Sequence, residues 1–169
     1  MRLDDDRVRA IAQALKALNG GAIEEAAEIG RALVQRWPED ASACQVMATI
    51  ALRRKGPAEA ERWALLSLAA RPDHYVTLIL AAQAAQAMGH LPTALQRFRR
   101  AGELDPARPE AAFGVGEMLI QHSPSDAGPI IDDLLSRFPD RTADLVQIGG
   151  VLEKSGQAEC ASRVYGTVV

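Results

Sequence analysis

Four prolines set the frame of this chain. Pro38, Pro72, Pro106 and Pro139 stand 34, 34 and 33 residues apart. A fixed period of this length marks tandem structural units, and it constrains the fold more than any local motif. The stretch from Phe98 to Gly116, FRRAGELDPARPEAAFGVG, shows one boundary between units. A helical pattern ends at Leu104, Asp105-Pro106 and Pro109 interrupt it, and a second helical pattern begins at about Pro109.

Between the prolines, every unit reads as two helices around a turn. Val8, Ile11, Leu15 and Leu18 recur at helical spacing, and Asn19-Gly20-Gly21 ends that run. A second helix follows over about 22–36 and closes at Trp37-Pro38. The same grammar gives helices over 41–54 and 58–70, 75–88 and 91–104, 109–121 and 126–137, and 142–154, with a last helix from Gln157. The turns between them are Lys55-Gly56-Pro57, Gly89-His90, Ser123-Pro124-Ser125 and Ser155-Gly156. Residues 1–6 read as an acidic lead, with Asp4, Asp5 and Asp6 placed to favour the N-terminal end of the first helix. No strand alternation is present, so the fold class is all-α.

Alignment on the prolines exposes what the units share. One alanine falls at the same place in every second helix: Ala26, Ala60, Ala94, Ala127 and Ala161. A second small residue precedes each turn, at Ala14, Ala48, Ala82, Gly116 and Gly149. Where two helices cross closely, the side chain between them must be small. Composition agrees: apolar residues make up 48% of the chain and aromatics only 4%, so the core must be built from Ala, Leu, Ile and Val.

These residues resemble the tetratricopeptide repeat family. The third repeat carries the family's pattern as Leu78, Ala82, Gly89, Ala94, Phe98, Ala101 and Pro106. The fifth carries it as Leu145, Ile148-Gly149, Leu152, Gly156, Ala161 and Tyr165, and the fourth as Ala112, Val115-Gly116, Leu119 and Ala127, one residue short near its turn. Repeats one and two depart from the pattern. Ala10 and Cys44 replace its bulky residue, and Gly30 and Ala64 its aromatic. The resemblance implies a right-handed superhelical solenoid of antiparallel helix pairs: a single array over 7–169, with repeats at about 7–40, 41–74, 75–108, 109–141 and 142–169.

Charge and cysteines narrow the function. With 19 basic and 22 acidic residues the net charge is −3, which offers no basic surface to nucleic acid or an anionic membrane. The excess of Arg over Lys (Lys16, Lys55 and Lys154 only) is read as the base composition of a GC-rich bacterium. Cys44 and Cys160 form no CxxC pair and read as free buried thiols of a reducing compartment. The N-terminus lacks a secretory apolar region and no stretch is apolar enough to span a membrane, so a cytoplasmic location is expected.

No catalytic set emerges, and neither enzyme activity nor a cofactor or metal is expected. His74, His90 and His122 are not at metal-ligand spacing with Glu or Cys, Gly114 and Gly116 belong to a helix, Asp132-Asp133 reads as a solvated face, and Trp37 and Trp63 read as packing at repeat junctions. Binding is the natural function of such an array. The resemblance implies that first helices line a concave groove, whose residues here are Ile11, Leu15 and Asn19; Gln45, Thr49 and Arg53; Ile79, Gln83 and Gln86; Phe113, Glu117 and Gln121; and Val146, Gln147 and Gly150.

Some members of the family grip a C-terminal carboxylate with a Lys/Asn/Arg clamp. Ile11 and Leu15 stand where Lys and Asn are needed, so no clamp is expected. The expected partner is a protein or peptide segment, amphipathic or apolar. Ile11, Leu15, Ile79 and Phe113 are read either as that partner's anchors or as core. The last helix has no polar cap after it, which suggests an excised domain or a homodimer through that end. The family resemblance also leaves open an accessory or dimerisation domain of a larger bacterial enzyme, of sulfotransferase, glycosyltransferase or aspartyl/asparaginyl-hydroxylase type.

Overall fold

A computed structural model describes residues 2–168. Among these described residues, ten α-helices follow one another: α1 (Arg2–Asn19), α2 (Ile23–Arg36), α3 (Ala41–Arg53), α4 (Pro57–Ala70), α5 (Tyr75–Ala87), α6 (Leu91–Leu104), α7 (Pro109–His122), α8 (Ala127–Arg137), α9 (Thr142–Lys154) and α10 (Ala158–Val168). A 3₁₀ turn, Pro124–Asp126, precedes α8, which therefore starts one residue later than the sequence pattern suggests. No strand occurs among the described residues. The first helix starts at Arg2, so Asp5 and Asp6 lie inside it rather than ahead of it, and Asp6 sits 3.7 Å from Arg36 of α2. Met1 lies outside the described residues.

The chain divides into two compact units, one ending at Arg97 and the other beginning at Phe98. In unit 1, α1 packs on α2, α3 on α4, and α4 on α5, while the first helices α1, α3 and α5 lie side by side. In unit 2, α9 packs on α10, α7 lies beside α9 and α8 beside α10. The pair α7/α8 is joined less closely than the pairs α1/α2, α3/α4 and α9/α10.

The five aligned alanines are all buried, none more than 2% exposed. Ala14, Ala48 and Ala82 are equally inaccessible, and Gly116 and Gly149 are buried at the same register. The repeat pattern is thus a packing pattern. Where repeat one lacks its aromatic, Gly30 leaves room that Met47 Sδ and Ile50 Cδ1 of α3 fill, at 2.7 and 2.8 Å from where a Cβ would stand.

Turns and caps obey local chemistry. Gly21, Gly89 and Gly156 take φ of 78, 78 and 75° after their first helices, where a side chain is strained. In the second repeat Lys55, not the neighbouring Gly56, takes this role with φ 58°. Asp40 caps α3 by accepting the Ala43 N–H at 2.8 Å and pairs with Arg7 of α1 at 2.7 Å.

Two internal ties hold unit 1. Ser67 Oγ donates to the Ala41 carbonyl at 2.8 Å and lies 3.3 Å from Thr77 Oγ1, which in turn lies 2.9 Å from His74 Nδ1. This chain links the start of α3, the end of α4 and the start of α5 in a region where Ser67 and Thr77 are fully buried. Separately, Arg97 donates to Glu61 at 2.6 Å and to the Ala81 carbonyl at 2.8 Å.

Candidate functional site

The groove residues fall into two sets, one per unit. In unit 1, α1 and α5 each lie beside α3. Leu15 is 41% exposed, Asn19, Arg53 and Gln83 are exposed, and Ile11, Gln45, Thr49 and Gln86 are half-buried. Thr49 turns its hydroxyl back on its own helix, donating to the Gln45 carbonyl at 3.0 Å. Ile79 is only 6% exposed. The reason lies in α5, YVTLILAAQAAQA, which is apolar on most sides and buries nine of its thirteen residues.

In unit 2 the face is built differently. Phe113 is buried, its ring 5.9 Å from that of Phe138 and within the apolar core of the unit. Of the two alternatives for Ile79 and Phe113, anchor or core, burial places both in the core. What α7 and α9 present instead is a hydrogen-bonded set. Glu117 accepts from Gln121 Nε2 and from Gln147 Nε2, each at 3.4 Å. Val146, 45% exposed, lies beside Gln147, and Gly150 is half-buried one turn on. Each glutamine keeps its amide oxygen and one N–H for other partners.

A second feature of unit 2 escaped the repeat reading. A cleft of about 580 Å³ opens between the C-terminal half of α6 and the lengths of α7 and α8. Ala112, Val115, Leu119 and Ile130 line it, half-buried, with Arg99 and Pro129 at its edge. The sequence signal was the residue missing from repeat four, which coincides with the 3₁₀ turn and the loose α7/α8 pairing.

No protein-family model matches the chain, and no curated protein matches it. Solved structures do. PilF of Pseudomonas aeruginosa aligns with 99% of this chain and 77% of its own, at a TM-score of 0.80 and 20% identity. A thermophilic tetratricopeptide protein of Thermus thermophilus covers 96% of this chain and 89% of its own, at a TM-score of 0.80 and 14% identity. YrrB, described as a tetratricopeptide protein with an unusual peptide-binding site, covers 98% and 86%, at a TM-score of 0.69 and 16% identity.

The chain has the tetratricopeptide-repeat fold. In that fold's register the remaining polar residues have structural roles. His74 caps α5, its Nδ1 accepting the Thr77 N–H at 3.4 Å. Asp132 is paired with Arg163 and Asp133 with Arg137, so each carboxylate has its own cation. Trp37 and Trp63 pack on the apolar core of unit 1 with Arg36 and Arg62 over their rings, at 4.7 and 5.3 Å. Cys44 and Cys160 are free thiols, Cys44 buried and Cys160 half-buried. Burial first, then Asp40, push the Cys44 thiol above its ordinary value, which keeps it protonated and a poor nucleophile near neutrality. Among the described residues no group of His, Cys, Asp and Glu could hold a metal ion, and no helix is long and apolar enough to cross a membrane.

Proposed function

We propose that this tetratricopeptide fold is a polypeptide-binding scaffold, and that the first-helix face of unit 2 grips its partner largely by the main chain. The observation that carries the reading is the set Glu117, Gln121 and Gln147, spread over two neighbouring first helices. An extended peptide presents alternating N–H and C=O groups. Amide side chains offer both a donor and an acceptor to such a ligand, and the carboxylate between them strengthens any N–H that reaches it. Val146 adds an apolar contact at the edge of this set.

Unit 1 offers a surface of the same kind through Leu15, Gln45, Thr49, Arg53, Gln83 and Gln86. With Ile79 and Phe113 withdrawn into the core, the partner needs fewer apolar side chains than an apolar groove would demand. The peptide-binding site of YrrB supports the same class of function.

The test is a random peptide library panned against the whole chain, with the winners measured by calorimetry. Glu117→Ala/Gln147→Ala should weaken those that dock on α7 and α9 by roughly tenfold or more. Winners that bind this double variant unchanged would remove the site from that face.

A further inference from the structure

The cleft between α6, α7 and α8 is a second opening in unit 2, away from the first-helix face. Its floor is apolar, and its volume of about 580 Å³ lies in the range of ligand sites. It has a local cause. In the second helices, the two residues after the aligned alanine are Ala27-Glu28, Glu61-Arg62, Leu95-Gln96 and Ser162-Arg163, but in α8 they are Gly128-Pro129. At the second of these positions a long side chain gives way to a proline ring, and a Cβ at Gly128 would meet nothing within 4 Å. Together with the loose α7/α8 pairing, these short residues leave the floor uncovered.

The charges at the rim decide what could fill it. Asp133 is held by Arg137 at 2.9 Å, and Arg137 also donates to the Pro106 carbonyl at 3.0 Å. Glu103 is paired with Arg100 at 3.1 Å and Arg108 with Glu110 at 3.4 Å. Arg99 lines the cleft and makes no hydrogen bond or ion pair among the described residues. One uncommitted guanidinium over an apolar floor calls for an acceptor with a planar anionic group, and a carboxylate fits it in two-pronged fashion.

We propose that this cleft docks a short partner segment in which two or three apolar side chains are accompanied by an Asp or Glu, the apolar groups on Val115, Leu119 and Ile130 and the carboxylate on Arg99. A second copy of this chain is a poorer occupant. Its most exposed apolar pair, Leu65 and Leu66 on α4, is 46% and 50% exposed and has Arg62 beside it on the same helix face. That pair would bring a cation towards Arg99. The open side of the cleft also suits a peptide, whose flanking main chain stays in water, better than a fully apolar ligand.

The experiment pans a library of short peptides against the whole chain. Every peptide has two adjacent large apolar residues, and all other positions vary among Asp, Glu, Asn, Gln and Lys. The expected winners are rich in Asp or Glu near the apolar pair, bind less well as salt rises, and shift the amide resonances of Gly102 and Gly116 rather than that of Gln147. Arg99→Glu should weaken them by roughly tenfold or more and turn the preference towards Lys. Ala112→Trp, which fills the floor, should abolish binding, and Glu117→Ala/Gln147→Ala should leave it intact. Any of three results would overturn the proposal: no enrichment over a support without the chain, winners indifferent to Arg99→Glu, or sedimentation showing self-association that Ala112→Trp removes. Because Arg99 is exposed, its variant keeps the test valid even if Ala112→Trp fails to fold.

Discussion

The two units build their helix pairs from different packing materials. In unit 1 buried alanines do most of the work, with Ala48, Ala64, Ala81 and Ala84 among those at 0% exposure. Among the described residues of unit 2, only Ala101, Ala111, Ala127 and Ala161 are buried alanines, and the core is Ile120, Ile131, Leu134, Leu145, Ile148 and Leu152 with phenylalanines. Such bulk leaves no room for a Cβ at some crossings. The Phe98 ring lies against Gly114, where a Cβ would stand 2.5 Å from its nearest atom, and the Tyr165 ring lies against Gly149 in the same way. Close helix approach thus has two solutions: a small residue on each side, or a missing side chain facing a bulky one, a ring at Gly114 and Gly149 and Met47 with Ile50 at Gly30.

The sharpest way to break this comparison is Phe98→Ala. Phe98 is 2% exposed, and its removal should cost about 3–5 kcal/mol, read from urea denaturation of the whole chain. Gly114→Ala should destabilise the intact chain yet cost little on the Phe98→Ala background, because the ring it displaces is gone. Additive effects of the two changes would disprove the ring-in-notch arrangement. On the unit 1 side, Ala94→Leu overpacks a crossing that is 0% exposed, at a cost of about 1–3 kcal/mol. An unchanged melting temperature would mean that the repeat register is wrong.

Smaller effects refine the picture. Ser67→Ala withdraws a buried donor from the half-buried Ala41 carbonyl and should cost about 1–2 kcal/mol, seen as faster hydrogen exchange at the start of α3. Gly150→Ala works in the opposite direction. Gly150 sits inside α9 with nothing within 4 Å of where a Cβ would stand, so the alanine should gain about 0.5–1 kcal/mol of helix stability. A loss there would show that a glycine with nothing facing it is also needed for packing.

These contrasts also explain what could be read from the sequence. The aligned alanines were legible because a close crossing is a local demand that recurs at each repeat. Helices and turns were legible for the same reason, down to Gly21, Gly89 and Gly156. Lys55 was not, because Gly56 next to it looked the better candidate and only the backbone reveals which residue turns left-handed. Ile79 and Phe113 sit at positions that face outward in the repeat pattern. Their burial depends on the surroundings of α5 and on the pairing of Phe113 with Phe138, which no single helix encodes. The set Glu117, Gln121 and Gln147 was visible as residues but not as a hydrogen-bonded unit. The cleft left only a trace, one missing residue.

Gly30 has a last consequence, for anyone who would cut and recombine such arrays. The prolines look like natural seams, yet the space above Gly30 in α2 is occupied by Met47 and Ile50 from the next hairpin, and Gly114 receives Phe98 from the hairpin before it. Lock and key lie on opposite sides of the seam. A chimera joined at Pro38 or Pro106 would separate matched halves and meet strangers, whereas one joined within a helix, so that each notch travels with its filler, would keep its interior intact.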